Sequence, residues 1–331
     1  MTFRGNGCNS AVAYDVMAAM PDAMPPGDTH LLRSLAHAVR ATGYGFVTPT
    51  PKTHATVNAR PGAEWARTLQ DVFGWSRPFH AGVVPPHIQE AMHAAGVLAR
   101  HEDGWRSLVR LSTLDGLLFV HSAFPTTDAD AVFFGPDTYR FARAIAHLPD
   151  RPVRRAVDIG CGAGPGAILI ARAHPGAEVF GVDINAAALQ MTRANAGLAG
   201  VTVHAAHSDL LTGVPGQFDL IAANPPYLVD PAERAYRHGG GPLGAGLSLK
   251  ILDAAIDRLA PGGTLLLYTG AAMIDGTDPF HDAAAARLHS AGLAWHYDEI
   301  DPDVFGEELE HGVYARADRI AAVALTATRP I

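Results

Sequence analysis

The sequence is poor in the features that mark secreted, membrane-spanning and nucleic-acid-coating proteins. Its 331 residues include only two cysteines, Cys8 and Cys161, which excludes a disulfide framework and fits a reducing compartment. No stretch approaches the roughly 20 apolar residues that a membrane helix needs. Asp15 interrupts the apolar run from Ala11 to Met20, so that run is not a signal-peptide core. We therefore expect a cytoplasmic protein with no membrane partner.

Positive charge is also scarce. The formal net charge is −8 at pH 7, whereas nucleic-acid binding needs a basic face that displaces counterions. Arg100, Arg106 and Arg110 are too few to predict a basic stripe. The histidines at positions 80, 87, 93 and 101 do not follow the i, i+4 spacing of helical metal ligands. A nucleic-acid partner stays possible but is not favoured, and no metal site is expected.

A glycine-rich turn organises the rest of the chain. Residues 156–166 read AVDIGCGAGPG, a short apolar strand that runs into glycines and then into an apolar helical segment. Gly160, Gly162 and Gly164 allow the backbone to turn sharply and to come close to a ligand, because they have no Cβ. This turn by itself is equally compatible with a dinucleotide site, whose signature is G-x-G-x-x-G.

Polar residues follow the next three predicted strands. Asp183 ends the second strand, Asp209 follows the third, and Asn224 follows the fourth. The carboxyl ends of parallel strands form the usual ligand-binding edge of such a sheet. A carboxylate at Asp183 can accept hydrogen bonds from both hydroxyls of a ribose.

Strand and helix patterns alternate through the C-terminal two thirds of the chain, which predicts an α/β fold with a Rossmann-like seven-stranded sheet covered on both faces. The first helix begins near Pro165. Predicted strands cover 154–159, 178–183, 201–205, 218–223, 263–269, 294–299 and 319–327, and further helices cover 186–197, 246–259 and 280–291.

Three regions are predicted: a flexible arm over 1–27, a recognition domain over 28–125, and the α/β domain over 126–331. The middle region has helical patterns after Asp28, over 63–73 and over 86–98. A hairpin of 107–111 and 117–120 then turns at Asp115-Gly116. This small α+β unit is interpreted either as a substrate-recruiting domain or as a winged-helix-like nucleic-acid module.

Four motifs in order, Asp158-x-Gly160-x-Gly162-x-Gly164, Asp183, Asp209 and Asn224-Pro225-Pro226-Tyr227, resemble the class I S-adenosylmethionine-dependent methyltransferases. The last motif resembles their amino-methylating branch. The glycine-rich loop after Tyr227 and the Gly246-Leu-Ser that follows resemble the HemK-type protein-glutamine N5-methyltransferases of the "small" methyltransferase group, over about residues 130–330. The hairpin of the N-terminal region departs from the all-helical recruiting domain of that family.

The resemblance implies S-adenosyl-L-methionine as the cofactor. Asp183 would hold the ribose, Ile184 would pack on the adenine, and Asp209 would accept from the exocyclic amine of that ring. Cys161 is expected to fill space as a small buried residue, not to act as a nucleophile. The full set of predicted cofactor-binding residues is Asp158, Gly160, Cys161, Gly162, Gly164, Asp183, Ile184, Asp209, Leu210 and Asn224.

Asn224, Pro225, Pro226 and Tyr227 are the predicted catalytic residues. Consecutive prolines cannot continue a strand ladder, so they would hold the Asn224 side-chain oxygen and the Pro225 carbonyl rigidly. Those two oxygens could accept both hydrogens of a planar –NH2 group, and the Tyr227 ring could stack on it. Candidate acceptor-pocket residues are Asp137, Thr138 and Tyr139 before the sheet and Tyr236 and Arg237 in the loop after it.

The acceptor stays open at this point. The favoured function is N-methylation of a protein amide (glutamine N5). The alternatives are the exocyclic amine of adenine N6 or guanine N2 in RNA or DNA, and a small molecule of secondary metabolism. Seven acidic residues between Asp298 and Glu310 predict a solvated loop; if it borders the pocket, it would repel phosphates and suit a neutral or cationic acceptor.

Overall fold

The computed structural model describes residues 28–234, 236–310 and 312–331, so the predicted arm over 1–27 lies outside the described residues. Four helices and two hairpins come first: α1 (Thr29–Arg40), α2 (Pro51–Asn58), α3 (Leu69–Phe73), α4 (Pro86–Ala94), β1 (Leu98–His101), β2 (Gly104–Ser107), β3 (Val109–Leu114) and β4 (Leu117–Ser122). In the described part, this N-terminal unit is therefore α+β, as predicted; the winged-helix interpretation stays a prediction.

The second half alternates strands and helices. Its elements are α5 (Pro136–Ala146), β5 (Arg155–Ile159), α6 (Pro165–Ala173), β6 (Glu178–Asp183), α7 (Ala186–Ala199), β7 (His204–His207), β8 (Phe218–Ala223), α8 (Gly246–Arg258), β9 (Leu259–Met273), α9 (Pro279–Ser290), β10 (Ala294–Asp301) and β11 (Arg319–Thr328), with 3₁₀ helices at Gly306–Glu310 and Gly312–Tyr314.

The central sheet has the strand order β10-β11-β9-β8-β5-β6-β7. Strands β5 to β9 run parallel, and β11 runs antiparallel to both β9 and β10. The chain leaves β5 toward β6 and β7 and then returns to the other side of β5 with β8. This reversal places a crevice beyond the carboxyl ends of β5 and β8, where open α/β sheets bind ligands. The predicted Rossmann-like seven-stranded sheet is confirmed.

Several predicted boundaries are wrong for local reasons. The strand predicted at 201–205 begins later, since β7 covers His204–His207. Val201 and Val203 precede the strand and pack against apolar clusters. The helix predicted over 63–73 begins only at Leu69, where Thr68 and Asp71 form a reciprocal capping box. The helix predicted to 98 ends at Ala94, since Gly96 adopts a φ of +68°. Helix α2 and hairpin β1–β2 were not predicted.

The N-terminal unit shares a core with the sheet domain. Leu32 and Leu35 of α1 belong to the same apolar cluster as Met191 of α7. Asn195 of α7 is fully buried, and its side-chain amide nitrogen donates to the carbonyls of Val120 and Ala163 at 2.9 and 2.8 Å. Its amide oxygen accepts from the Val120 N–H at 2.8 Å. One asparagine therefore links hairpin β3–β4 to the glycine-rich turn; the boundary at residue 125 stays a prediction.

None of the helices in the described ranges is long and apolar enough to cross a membrane.

Candidate active site

One cavity of about 240 Å³ lies beyond the carboxyl ends of β5, β6 and β8. Residues from all parts of the predicted site line it. They are Asp137, Thr138, Asp158, Gly160, Cys161, Gly162, Asp183, Ile184, Asp209, Leu210, Asn224, Pro225, Pro226, Tyr227, Tyr236 and Arg237. Two residues of the prediction, Gly164 and Tyr139, are not part of this wall.

The glycine-rich turn forms the floor of the cavity. Gly160 and Cys161 both donate their N–H to the Val182 carbonyl, at 2.8 and 3.0 Å, which folds the turn back over β6. Gly160 has a φ of +67°, and a Cβ added there would meet no protein atom within 4 Å. The turn therefore presents bare backbone to the cavity, as a close-lying ligand requires.

Asp183 and Ile184 at the end of β6 form one wall. The Asp183 carboxylate accepts from the Gly162 N–H at 3.0 Å and from the Asn185 N–H at 2.9 Å, which fixes its orientation. Each of its oxygens keeps a further lone pair for a ligand hydroxyl. Beside it, the Ile184 side chain is 56% exposed, although it is large and apolar. A carboxylate next to an exposed apolar surface fits the ribose and adenine of a nucleoside.

Asp158 ends β5 beneath the turn and is 2% exposed. Its Oδ2 accepts from the Ala167 N–H at 2.9 Å. A Cβ on Gly166 would come within 2.6 Å of that oxygen, so glycine is required there. Burial, reinforced by the negative charge of Asp183, raises the pKa of Asp158 to about 7. This carboxyl is therefore poised to lose its proton when a positively charged group binds beside it.

The raised pKa of Asp158 predicts pH-dependent cofactor binding. A cationic ligand stabilises the carboxylate, so affinity for S-adenosylmethionine should rise up to about tenfold from pH 6 to pH 8. The ligand-free fold should instead lose stability as pH rises from about 4 to 7, because the folded chain retains this proton to a higher pH than the unfolded chain. Titration calorimetry across this range measures the affinity. The Asp158→Asn variant should give a flatter profile, and a flat profile in the wild type would contradict the assignment.

Cys161 is buried in the turn at 3% exposure, with Sγ 3.4 Å from the Thr192 hydroxyl. Burial raises the pKa of its thiol well above the usual value, and the nearby Asp158 and Asp183 act in the same direction. The thiolate is the nucleophilic form of cysteine. Cys161 therefore has the surroundings of a packing residue.

Asp209 and Leu210 form the adjoining wall beyond β7. The Ser208 hydroxyl donates to the Leu210 carbonyl and accepts from the Gly213 N–H, both at 2.8 Å. This turn leaves Asp209 exposed at the cavity and places Leu210 in the left-handed region, with a φ of +50°. The positions of Asp209 and Leu210 agree with the prediction that they lie at the edge of a bound adenine ring.

The Asn224–Tyr227 segment leaves β8 directly into the cavity. Asn224 is partly buried, and within the described ranges no protein group hydrogen-bonds its side-chain amide. The stacking of Tyr227 on an acceptor stays a prediction, and the structure shows how this side chain is held. Its hydroxyl donates inward to Asp137 Oδ2 at 2.6 Å, while the Phe305 ring packs edge-on against it at a centroid distance of 5.8 Å. Tyr227 is therefore an anchor of the segment.

Asp137 is the centre of this anchor. Its Oδ1 accepts from the Tyr268 hydroxyl at 2.8 Å and from Arg140 at 2.9 Å, and Arg140 also bonds Asp301 at 2.8 Å. Sequence reasoning named Asp137 but missed this role. Tyr268 was also missed; its signal was a tyrosine in the largely apolar strand β9, where a buried hydroxyl needs a partner.

The loop after Tyr227 is held by ion pairs. Asp230 is 3% exposed and pairs with Arg234 at 2.7 and 2.8 Å; the Arg234 guanidinium holds the pKa of that carboxyl well below its usual range. The Tyr236 hydroxyl donates to the Thr126 carbonyl, and Arg237 pairs with Glu308. These contacts fix the loop across the cavity.

The acidic segment does border the cavity. The prediction of a solvated loop over 298–310 is wrong at its start, where Asp298 to Asp301 belong to the edge strand β10. Beyond the strand, Phe305 lines the cavity and Glu308 pairs with Arg237. The acids here are thus partly neutralised by arginines.

The positions of Gly164 and Tyr139 require a correction. Gly164 lies at the start of α6 with a φ of +85°, and a Cβ there would come within 3.0 Å of Thr192. Gly164 therefore lies on the side of the turn that packs against α7, not on the side that lines the cavity. The Tyr139 hydroxyl accepts from the Thr48 N–H at 2.9 Å, because the helical spacing turns this side chain toward the N-terminal unit. The prediction of Tyr139 as a pocket residue is therefore wrong.

Gly270 of β9 gives a test of the Tyr227 anchor. A Cβ at Gly270 would lie 2.1 Å from the Tyr227 ring, so Gly270→Ala should displace Tyr227 from Asp137. We expect methyl transfer to fall at least about tenfold and stability to fall by about 1–3 kcal/mol. Initial rates and urea unfolding measure these effects. Gly45→Ala is the control, since a Cβ there would lie 3.7 Å from Thr113, an ordinary contact. Wild-type transfer in Gly270→Ala would contradict the anchor.

Sequence comparisons agree with this geometry. The family model "Methyltransferase small domain" matches residues 142–273. The release factor glutamine methyltransferase of Bordetella pertussis is 34% identical over 210 residues, which cover 58% of this chain and 76% of that protein. The chain belongs to the HemK-like family of S-adenosylmethionine-dependent methyltransferases. The predicted enzyme class and its cofactor, S-adenosylmethionine, are confirmed.

Two further relatives of this HemK-like methyltransferase match over shorter segments. The release factor glutamine methyltransferase of Deinococcus radiodurans is 35% identical over 196 residues, covering 55% of this chain and 66% of that protein. The ribosomal protein uL3 glutamine methyltransferase of Neisseria meningitidis is 33% identical over 133 residues, covering 37% of this chain and 44% of that protein. The chain thus spans less than two thirds of the length of either relative.

The residues at the cavity fit S-adenosylmethionine. Its ribose would be held by Asp183, its adenine by Ile184, Asp209 and Leu210, and its charged methionine end by the glycine turn above Asp158. Among the described residues, no three His, Cys, Asp or Glu side chains are grouped so that they could hold a metal ion.

Proposed function

We propose that this HemK-like enzyme methylates the side-chain amide nitrogen of glutamine in a protein acceptor. The observation that carries the proposal is the Asn224 amide, which faces the cofactor cavity without a protein partner among the described residues. The Bordetella and Deinococcus relatives are named for glutamine methylation of a release factor, and the Neisseria relative for glutamine methylation of ribosomal protein uL3. All three names therefore give a protein amide as the acceptor.

The Asn224 segment would recognise the amide through two acceptors. The Asn224 Oδ1 and the Pro225 carbonyl are both carried on a segment that two prolines stiffen. Together they can accept both hydrogens of a planar –NH2 group. When both hydrogens of the amide donate to these two oxygens, the nitrogen lone pair leaves conjugation with the amide carbonyl and points toward the methyl donor. Fixed dipoles aimed at the reacting group are an efficient source of rate enhancement.

When bound, S-adenosylmethionine supplies a methyl group on a positively charged sulfur, and the sulfur–carbon bond breaks as the nitrogen–carbon bond forms. The amide nitrogen then releases one proton to solvent. Asn224 and Pro225 hold the nitrogen in line for the attack. Phe133, Tyr236 and Phe305 add aromatic surface to the wall of the same cavity.

The charge around the cavity supports a neutral acceptor. Arg237 lines the cavity and pairs with Glu308, so these two charges balance, and of the three N-terminal arginines considered for nucleic-acid binding, Arg110 is 4% exposed. A buried arginine cannot contact a phosphate backbone.

The proposal is tested by labelling. The purified enzyme is incubated with methyl-labelled S-adenosylmethionine and lysate of a strain that lacks it. We expect the label to be lost on protease treatment and retained on nuclease treatment. Loss on nuclease treatment alone would replace the protein acceptor by a nucleic-acid amine, and label in neither polymer would replace it by a small molecule.

A further inference from the structure

A second, smaller cavity lies between α2 and hairpin β3–β4, outside the active site. Its volume is about 10 Å³. Pro51 and Phe133 line both cavities, so the two share a wall. Thr48, His54, Arg110, His121 and Phe124 are among the residues that enclose the smaller one.

Arg110 of β3 is a buried cation in this cavity. It is 4% exposed, and its Nε and Nη2 have no hydrogen-bond acceptor among the described residues. These two nitrogens form one edge of the guanidinium, the edge that binds an anion with two parallel hydrogen bonds. The guanidinium also contacts an aromatic ring, since its central carbon lies 5.5 Å from the centroid of the Phe46 ring. A buried charge without a counter-ion is costly.

His54 of α2 presents a third unused donor. The Asn58 side chain is oriented by its neighbours, because its oxygen accepts from Arg77 and its nitrogen donates to the Trp75 carbonyl, both at 2.9 Å. The same Asn58 nitrogen lies 3.0 Å from His54 Nε2, which must therefore be the acceptor. The His54 proton is then on Nδ1, a buried atom with no partner in the described part of the chain. Burial and the nearby Arg110 lower the pKa of His54 to about 4, so the ring is neutral.

The remaining polar groups of the cavity satisfy one another. The hydroxyls of Thr48 and Ser112 are 2.5 Å apart, and the Ser112 hydroxyl lies 2.8 Å from His121 Nε2. His121 Nδ1 bonds the Ser122 carbonyl at 3.1 Å. None of these groups carries negative charge, and among the described residues no carboxylate pairs with Arg110.

We propose that this cavity is a binding site for a small monovalent anion, held by Arg110 Nε and Nη2 and by His54 Nδ1. The volume admits an occupant about the size of one water molecule; one carboxylate oxygen of formate matches that size, and chloride is somewhat larger. The bound anion neutralises Arg110. It also ties α2 to β3, and because Pro51 of α2 lines the active-site cavity, the anion stabilises one wall of the active site. This inference is independent of the acceptor proposed above.

Thermal unfolding of the full chain tests the site. Sodium gluconate, whose anion is too large to enter, is replaced stepwise by sodium chloride or sodium formate at constant ionic strength. We expect the unfolding temperature of the wild type to rise by about 2–4 °C. Arg110→Met, which removes the charge and keeps the stem on Phe46, should abolish the rise. Arg100→Met is the control, since Arg100 is exposed, lies over the Trp105 ring and lines neither cavity.

The outcomes separate the sources of the anion. A rise in chloride identifies a halide site, and a rise in formate alone identifies a carboxylate site; both support the proposal. An equal rise in wild type and Arg110→Met, or no rise in either anion, would overturn it. If Arg110→Met does not fold, crystals of the wild type in sodium bromide decide the matter. Anomalous density beside Arg110 and His54 is expected, and its absence together with no formate-dependent rise would reject the site.

Discussion

Replacing Asn224 by alanine should reduce methyl transfer by about 10²–10³-fold while the Kd of S-adenosylmethionine changes by less than about threefold. The side-chain amide of Asn224 has no protein partner among the described residues, so its loss breaks no contact of the fold. What disappears is one of the two oxygens that would hold the acceptor –NH2 group. Single-turnover rates and titration calorimetry on the same preparation separate the two effects.

Asn224→Gln is the matched variant for this prediction. It keeps the amide and moves the oxygen by one methylene, so a strong loss of transfer is expected there as well if positioning is what matters. Full activity of Asn224→Ala would refute the amide-recognition mechanism. A weakened Kd with unchanged single-turnover rate would instead assign Asn224 to the cofactor side of the cavity.

Replacing Asp183 by alanine should weaken S-adenosylmethionine binding by at least about 100-fold. The carboxylate would lose two charge-assisted hydrogen bonds to the ribose, each worth about 1.5–3 kcal/mol, where 1.4 kcal/mol corresponds to about tenfold in Kd. The Gly162 N–H also loses its acceptor, which loosens the floor of the cavity. Titration calorimetry with the purified variant measures the change.

Asp219 offers a control for the structural part of that effect. Its carboxylate also accepts from two backbone N–H groups, those of Arg154 and Arg155 at 2.9 Å, but at the opposite end of the sheet. Asp219→Ala should therefore lower the unfolding temperature and leave Kd nearly unchanged. Normal cofactor binding by Asp183→Ala would reject the ribose assignment.

Much of the sheet domain could be predicted from the sequence because its signals are local. Alternating strand and helix patterns and glycines at fixed spacing are properties of short segments, and β6 and β8 lie where they were predicted. Residues at the carboxyl ends of parallel strands must meet at one edge, so the sequence alone predicts that Asp158, Asp183 and Asn224 share one cavity, which they do.

Contacts between distant segments could not be predicted in this way. The bond between Tyr227 and Asp137 joins residues 90 positions apart, and the bond between Tyr268 and Asp137 joins residues 131 positions apart. No regular spacing in the sequence indicates that either pair of residues is in contact. The direction of Tyr139 was equally hidden, because it depends on how α5 rotates against the N-terminal unit. The unpaired Arg110 is recognisable only once its burial is known.

The central claim concerns the atom that receives the methyl group. The most direct measurement is mass spectrometry of the labelled protein from the lysate experiment, with fragmentation that locates the methyl group and acid hydrolysis of the modified peptide. We predict a methyl group on a glutamine side-chain nitrogen, methylamine released by hydrolysis, and no label when Asn224→Ala replaces the wild type. A methyl group on a nucleobase, or on any protein atom other than an amide nitrogen, would contradict the account.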